Sequence, residues 1–121
     1  MIPLETEAAR ICVLDRGFVY IGLAKMVQEG KVLQIRNAYC IRRWGTTAGL
    51  GQLAQQGKQQ QTELDHAGIV RCAVGSVAHL IDVIPEKWAM LYDVGPYNTP
   101  LDGVDTVPSP DAIAAAVKKR R

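Results

Sequence analysis

The stretch that decides the fold is Lys31-Val32-Leu33-Gln34-Ile35-Arg36-Asn37-Ala38-Tyr39-Cys40-Ile41-Arg42-Arg43-Trp44. Leu33, Ile35, Tyr39 and Ile41 fall two or four residues apart, the period of a half-buried strand, and the spacing predicts that they share one face. Arg36-Asn37 interrupts the apolar pattern. The segment therefore reads as one long strand, or as two joined by a bulge at that dipeptide.

Upstream, Glu29-Gly30 is a turn signal. Before it, Gly17 to Lys25 reads as a strand, with Phe18 and Tyr20 on one face and Val19, Ile21 and Leu23 on the other. Ile11 to Leu14 is a shorter strand candidate. Downstream, Thr46 or Thr47 is placed to cap a short helix through Leu50, Leu53 and Ala54 to Gln56, with Gly57 as its stop. Gly49 and Gly51 lie in that helix and cost roughly 1 kcal/mol each against alanine, so either tertiary contacts or a bound group offset them, or the segment is a loop. Lys58 to Gln61 is a glutamine-rich loop.

Gly68 to Val74 and Val77 to Ile84 read as two further strands joined by a tight hairpin at Gly75-Ser76. The second is apolar on both faces, which predicts a central or interfacial strand. Pro85 ends it, and Trp88 to Tyr92 reads as one more short strand. From Asp93 to Pro110 the chain is proline-rich and reads as an extended arm. Ser109-Pro110-Asp111 then opens an alanine-rich helix closed by Lys118, Lys119, Arg120 and Arg121. The expected fold is α+β: a small antiparallel β-sheet or barrel of about five or six strands, one inserted short helix, and a C-terminal arm plus helix. The expected division is a compact domain over residues 1–95 and an arm and helix over 96–121.

The chain has 121 residues, 48% of them apolar but only 6% aromatic. That suits one domain whose core is built from aliphatic side chains. No apolar run reaches the length of a membrane span, and the first ten residues lack a basic-then-apolar leader pattern. The net charge of +2 is a near cancellation. Residues 1–61 carry +4, residues 62–117 carry −6, and the last four residues add +4. Such asymmetry suits pairing between subunits as well as an external anion. Cys12, Cys40 and Cys72 each sit in an apolar, strand-like run without a Cys-x-x-Cys spacing, and read as small buried side chains in a reducing compartment.

One segment combines features that suit a ligand: Ile41-Arg42-Arg43-Trp44-Gly45-Thr46-Thr47-Ala48-Gly49-Leu50-Gly51. Arginine forks phosphate oxygens, an indole face stacks on a base, glycines admit close backbone approach, and amides at a helix start attract anions. The candidate binding residues are Arg36, Arg42, Arg43, Trp44, Gly45, Thr46 and Thr47. Each also has a purely structural reading, with Trp44 as a core plug, Thr46 as a cap, and the arginines solvated. The spacing is neither a phosphate-binding P-loop nor a dinucleotide fingerprint. Asp65-His66 adjacency makes no dyad, His79 reads as a core or interface histidine, and no metal-ligand spacing occurs. The chain therefore reads as non-enzymatic, without metal or cofactor.

Gly17-Phe18-Val19-Tyr20-Ile21-Gly22, then Asn37-Ala38, Ile41-Arg42-Arg43-Trp44-Gly45, Leu50, Leu53-Ala54 and Gly57, and the strand Leu80 to Ile84 with Pro85, together resemble a widespread family of small bacteriophage and prophage proteins. The resemblance runs from Arg10 to Pro85, about 76 of the 121 residues, and the motif from Arg43 to Gly57 is its most distinctive part. It implies a phage origin, a place in the host bacterial cytoplasm and a compact β-rich fold, and supplies no catalytic residue. Three functions are then in view. The first is an anti-defence sponge that sequesters a nucleotide-type immune signal. The second is a phage structural or assembly protein. The third is an Sm-like nucleic-acid binder, which the acidic centre of the chain disfavours. All three lead to the expectation of a homo-oligomer, with no membrane partner.

Overall fold

The computed structural model describes residues 3–93. The arm and terminal helix expected over 96–121 lie outside the described residues. Five strands follow in order: β1 (Ala8–Leu14), β2 (Val19–Val27), β3 (Val32–Arg43), β4 (Glu63–Ala73) and β5 (Val77–Asp82). One helix, α1 (Leu50–Gln56), is inserted between β3 and β4, and a 3-10 helix spans Pro85–Tyr92. The strands form one antiparallel sheet in the order β4-β3-β2-β1-β5, so the expected α+β class with an antiparallel sheet and one inserted helix is observed.

The bulge falls where the apolar pattern breaks. Pairing of β3 with β4 shifts register between Ile35 and Ala38, and pairing with β2 shifts between Leu23 and Ile21. Asn37 takes a left-handed backbone there (φ 48°). Gly22 lies against the bulge so closely that a Cβ on it would stand 2.6 Å from the Ile35 side chain and 2.8 Å from the Arg36 carbonyl. The bulge also corrects the expected face. A side chain changes sides with every residue, so an irregular insertion reverses the phase beyond it. Leu33 and Ile35 face one core, and Tyr39 and Ile41 face the other.

The first core joins Ala9, Ile11, Val19, Ile21, Leu23 and Ile41 to Leu53 and Ala54 of α1 and to Trp88 and Leu91 of the 3-10 helix. Trp88 is 1% exposed; its Nε1–H donates to the Leu53 carbonyl at 2.8 Å. The segment expected as a sixth strand, Trp88 to Tyr92, is thus helical. After Pro85 it must turn back to cover the sheet face, and a strand would have laid Trp88 out at an edge.

The second core gathers Cys12 and Leu14, Ala24, Leu33, Ile35 and Ala38, with Tyr20, Met26, Val70, Cys72, Val77 and Leu80 packed on it. All five strands contribute to it, which follows from how β4 meets β5. Ala73 stands opposite Val32, itself paired with Val27 at the far end of β2, while Val77 stands opposite Leu14, beside the start of β2. On a flat sheet these two points would lie about 19 Å apart across the strands and about 26 Å apart along them. The three-residue turn Val74–Ser76 that links them reaches at most about 14 Å. The sheet must therefore coil until its edges approach with a stagger, and this face becomes concave. The expected β4–β5 hairpin does not form. Among the described residues the two strands are the opposite edges of the sheet, and β5 pairs only with β1, so of the two expected placements, central or interfacial, it is not the central one.

Arg10, 1% exposed, ties the coil together. Its guanidinium donates to the carbonyls of Ala24, Thr6 and Pro3 and pairs with Asp82 of β5 at 3.5 Å. The Pro3–Thr6 segment is further held by Met26 N–H donating to the Leu4 carbonyl at 2.8 Å. No helix of the described residues is long and apolar enough to cross a membrane. Of the three free cysteines, Cys12 is fully buried, and Cys40 and Cys72 are half-buried.

Candidate ligand-binding site

Strand β3 carries the arginines and tryptophan past the end of the first core. Ile41 is buried, and Arg42, Arg43 and Trp44 emerge exposed. Trp44 is 43% exposed, so it is not the core plug; Trp88 fills that role. The backbone under Trp44 is fixed. Thr62, itself buried, donates its hydroxyl to the Trp44 carbonyl at 2.7 Å and accepts from Gln59 N–H at 3.0 Å. Gly45 takes φ 66°, and a Cβ on it would collide with the Gln61–Thr62 peptide, reaching 2.5 Å from the Gln61 carbonyl oxygen. Only glycine fits both the left-handed turn and that approach.

The three arginines have different surroundings. Arg36 sits at the bulge, half-buried, and grips Glu7 through two bonds, Nε at 2.8 Å and Nη2 at 2.6 Å. The hydrogen bond to Glu7 raises its pKa further. Seven residues of strand, about 23 Å, separate it from Arg43, so the structure does not bring it to the turn. Arg42 forks between Asp65 (Nε at 3.0 Å) and Glu63 (Nη1 at 3.5 Å). Arg43 stands across from Glu63 in the β3–β4 register and makes no ion pair among the described residues.

The turn into α1 supplies fewer donors than its sequence suggests. The Gln52 side-chain oxygen accepts from Thr47 N–H at 3.0 Å, from Ala48 N–H at 2.8 Å and from the Thr47 hydroxyl at 3.2 Å. The chain's own amide thus occupies the groups that would have received an anion. The helix is capped by Gly49 at φ 78°, without a side-chain bond, and not by Thr46 or Thr47. Thr46 keeps a buried hydroxyl that has no hydrogen-bond partner in the described structure. Of the seven candidates, Arg42, Arg43 and Trp44 share the strand end, Gly45 shapes it, Thr46 and Thr47 follow in the turn, and Arg36 stands apart.

Several residues that shape the site were not among the candidates. Glu63 and Asp65 set its charge, Thr62 clamps its backbone, and Gln52 closes its turn. The acids become legible only once the β3–β4 register is known. Gln52, five residues beyond Thr47, carries a faint version of the side-chain-to-amide logic of a capping box. The Asp65-His66 pair divides across β4: Asp65 meets Arg42, while His66 Nε2 donates to Asn37 Oδ1 at 3.0 Å and its ring lies tilted against that of Tyr39, 4.9 Å between centroids. Asn37 in turn donates to the Leu91 carbonyl at 3.1 Å. His79, expected in a core or interface, is exposed on edge strand β5. Among the described residues no group of histidine, cysteine or acidic side chains is arranged to hold a metal. Comparison with known protein families, with curated proteins and with solved structures finds no match to this chain.

Proposed function

We propose that the chain is a non-enzymatic binding protein that captures a small anionic ligand of nucleotide type on Trp44 and Arg43. The observation that carries this reading is Trp44 itself. A large indole is held half in solvent by a backbone clamped through Thr62 and Gly45, with an arginine free of ion pairs among the described residues beside it. An exposed ring carried on a fixed backbone is a stacking surface that leaves less chain to be ordered on binding, and the adjacent guanidinium supplies an oxyanion partner. Taken with the resemblance to small phage proteins, the reading is a phage-encoded anti-defence sponge acting in the host cytoplasm. Calorimetry with cyclic dinucleotides and ADP-ribose-derived signals tests it. Trp44→Ala and Arg43→Ala should each abolish the heat of binding, and no heat with any of these ligands in the unmodified protein refutes the reading.

A second reading, a structural or assembly role, draws on the sheet edges. Within the described residues the outer edges of β4 and β5 have no strand beside them, and such edges pair readily with another chain. Light scattering that shows a monomer at high concentration, with the protein missing from purified phage particles by mass spectrometry, would remove it.

A further inference from the structure

We infer that the Trp44 site selects ligands with one negative charge per ring, as in a phosphodiester, and turns polyphosphates away. This rests on the ligand-binding reading above and specifies its chemistry. Two cations and two anions lie together where β3 ends and β4 begins: Arg42, Arg43, Glu63 and Asp65. Arg42 is engaged by both acids, at 3.0 Å and 3.5 Å, so its charge is spent within the protein. Arg43 remains, and the four side chains sum to zero. The backbone amides that would hold a second phosphate, at Thr47 and Ala48, are closed by Gln52.

A ring stacked on Trp44 with one oxyanion at Arg43 meets a matched site. A second or third phosphate has no free donor among these groups, and lies within reach of the Glu63 and Asp65 carboxylates. Charges inside the screening length, about 8 Å at physiological salt, are still felt, so each added phosphate charge is repelled. Glu63 and Asp65 are thus specificity-determining residues, acting by exclusion.

The test titrates the full chain with cyclic AMP, a cyclic dinucleotide, AMP and ATP, read by calorimetry and by quenching of Trp44 fluorescence. The cyclic compounds should bind at least about tenfold more tightly than ATP, with AMP between. The double variant Glu63→Gln/Asp65→Asn frees Arg42 and removes both repelling carboxylates, so every anionic ligand should bind more tightly, with ATP gaining about tenfold and the cyclic compounds distinctly less. A readout without a variant is salt. Raising it should weaken cyclic AMP binding, since an attraction is screened, and leave ATP binding unchanged or stronger, since a repulsion is screened. ATP binding tighter than cyclic AMP in the unmodified protein, or weakening more steeply with salt, overturns this inference and leaves the binding reading standing. Absence of binding by all four compounds overturns the binding reading and this inference with it.

Discussion

The two tryptophans give a direct test of the architecture, because the same substitution should have opposite consequences at each. Trp88 is 1% exposed, packs between the sheet and α1, and donates to the Leu53 carbonyl. Truncating a fully buried tryptophan costs about 3–5 kcal/mol through lost burial and the cavity left behind. Domains of this size hold roughly 5–15 kcal/mol in total, so Trp88→Ala removes a large share of it. Trp88→Phe is milder. The Leu53 carbonyl keeps a second donor, Gly57 N–H at 3.0 Å, so it is not orphaned. The loss is then one hydrogen bond plus the volume of the missing ring, together about 2 kcal/mol. At about 4–8 °C per kcal/mol for a domain of this length, Trp88→Ala lowers the melting midpoint by tens of degrees and Trp88→Phe by about 8–16 °C.

Trp44 is 43% exposed and outside both cores, so Trp44→Phe should stay within about 0.5 kcal/mol of the parent. Urea unfolding followed by far-ultraviolet circular dichroism supplies the free energies by linear extrapolation. The two Phe variants also isolate each indole. Trp88 alone should emit at short wavelength and resist iodide quenching until unfolding, and Trp44 alone should emit at long wavelength and quench in the native state. If Trp88→Phe unfolds with the parent's midpoint while Trp44→Phe loses several kcal/mol, the assignment of core and surface is wrong.

Three further outcomes are expected. Gly45→Ala forces a left-handed backbone on a residue with a Cβ and drives that Cβ into the Gln61–Thr62 peptide; it should cost about 2 kcal/mol or more and lower ligand affinity through displacement of Trp44, both measurable on one preparation by urea melts and calorimetry. Asn37→Ala removes the bonds to Leu91 and His66 at about 1–3 kcal/mol, and Asn37→Gly should cost less, since glycine accepts the positive φ; equal losses would mean the backbone conformation contributes nothing. Burial pushes the Cys12 thiol up from 9.0 to about 12, with Cys72 adding to the rise and Arg10 opposing it. Between those values the unfolded chain releases a proton that the folded chain retains. Folding stability should therefore fall as pH rises from 9 towards 12, by up to about 1.4 kcal/mol per unit from this group. Cys72 and Tyr20, also raised by burial, act in the same direction, and Cys12→Ala should flatten part of the slope in alkaline urea titrations.

The parts of the fold legible in the sequence were those fixed by local physics. β2 and β3 carry period-two patterns, the bulge at Arg36-Asn37 interrupts one of them, and Gly57 stops α1 where glycine commonly ends a helix. What local pattern does not carry is phase and partnership. The bulge reverses which face Tyr39 and Ile41 occupy, a sign that periodicity alone does not keep. Val74-Gly75-Ser76 has the composition of a hairpin turn, yet it links two sheet edges, because β5 pairs with β1 from Arg10 to Leu14, a long-range partnership that no local pattern announces. The site was legible as residue types and less so as chemistry. Arg42 and Arg36 look alike in sequence to Arg43, and only the register shows that Glu63 and Asp65 engage Arg42, while only the tertiary fold brings Glu7 to Arg36.

The order of strands along the sheet also sets an order in time. As the chain is synthesised, β1 to β4 can zip up as consecutive neighbours, each strand finding its partner as soon as the next emerges. The other side of β1 must wait for β5, whose Leu80 pairs with Cys12 only after most of the described chain has been made. At roughly 5–20 residues per second the nascent meander carries a bare apolar edge for several seconds, with Arg10 meanwhile lacking Asp82. Chains arrested before Val77 should therefore be the ones that clump on ribosomes or recruit holding chaperones, and chains extended past Asp82 should not.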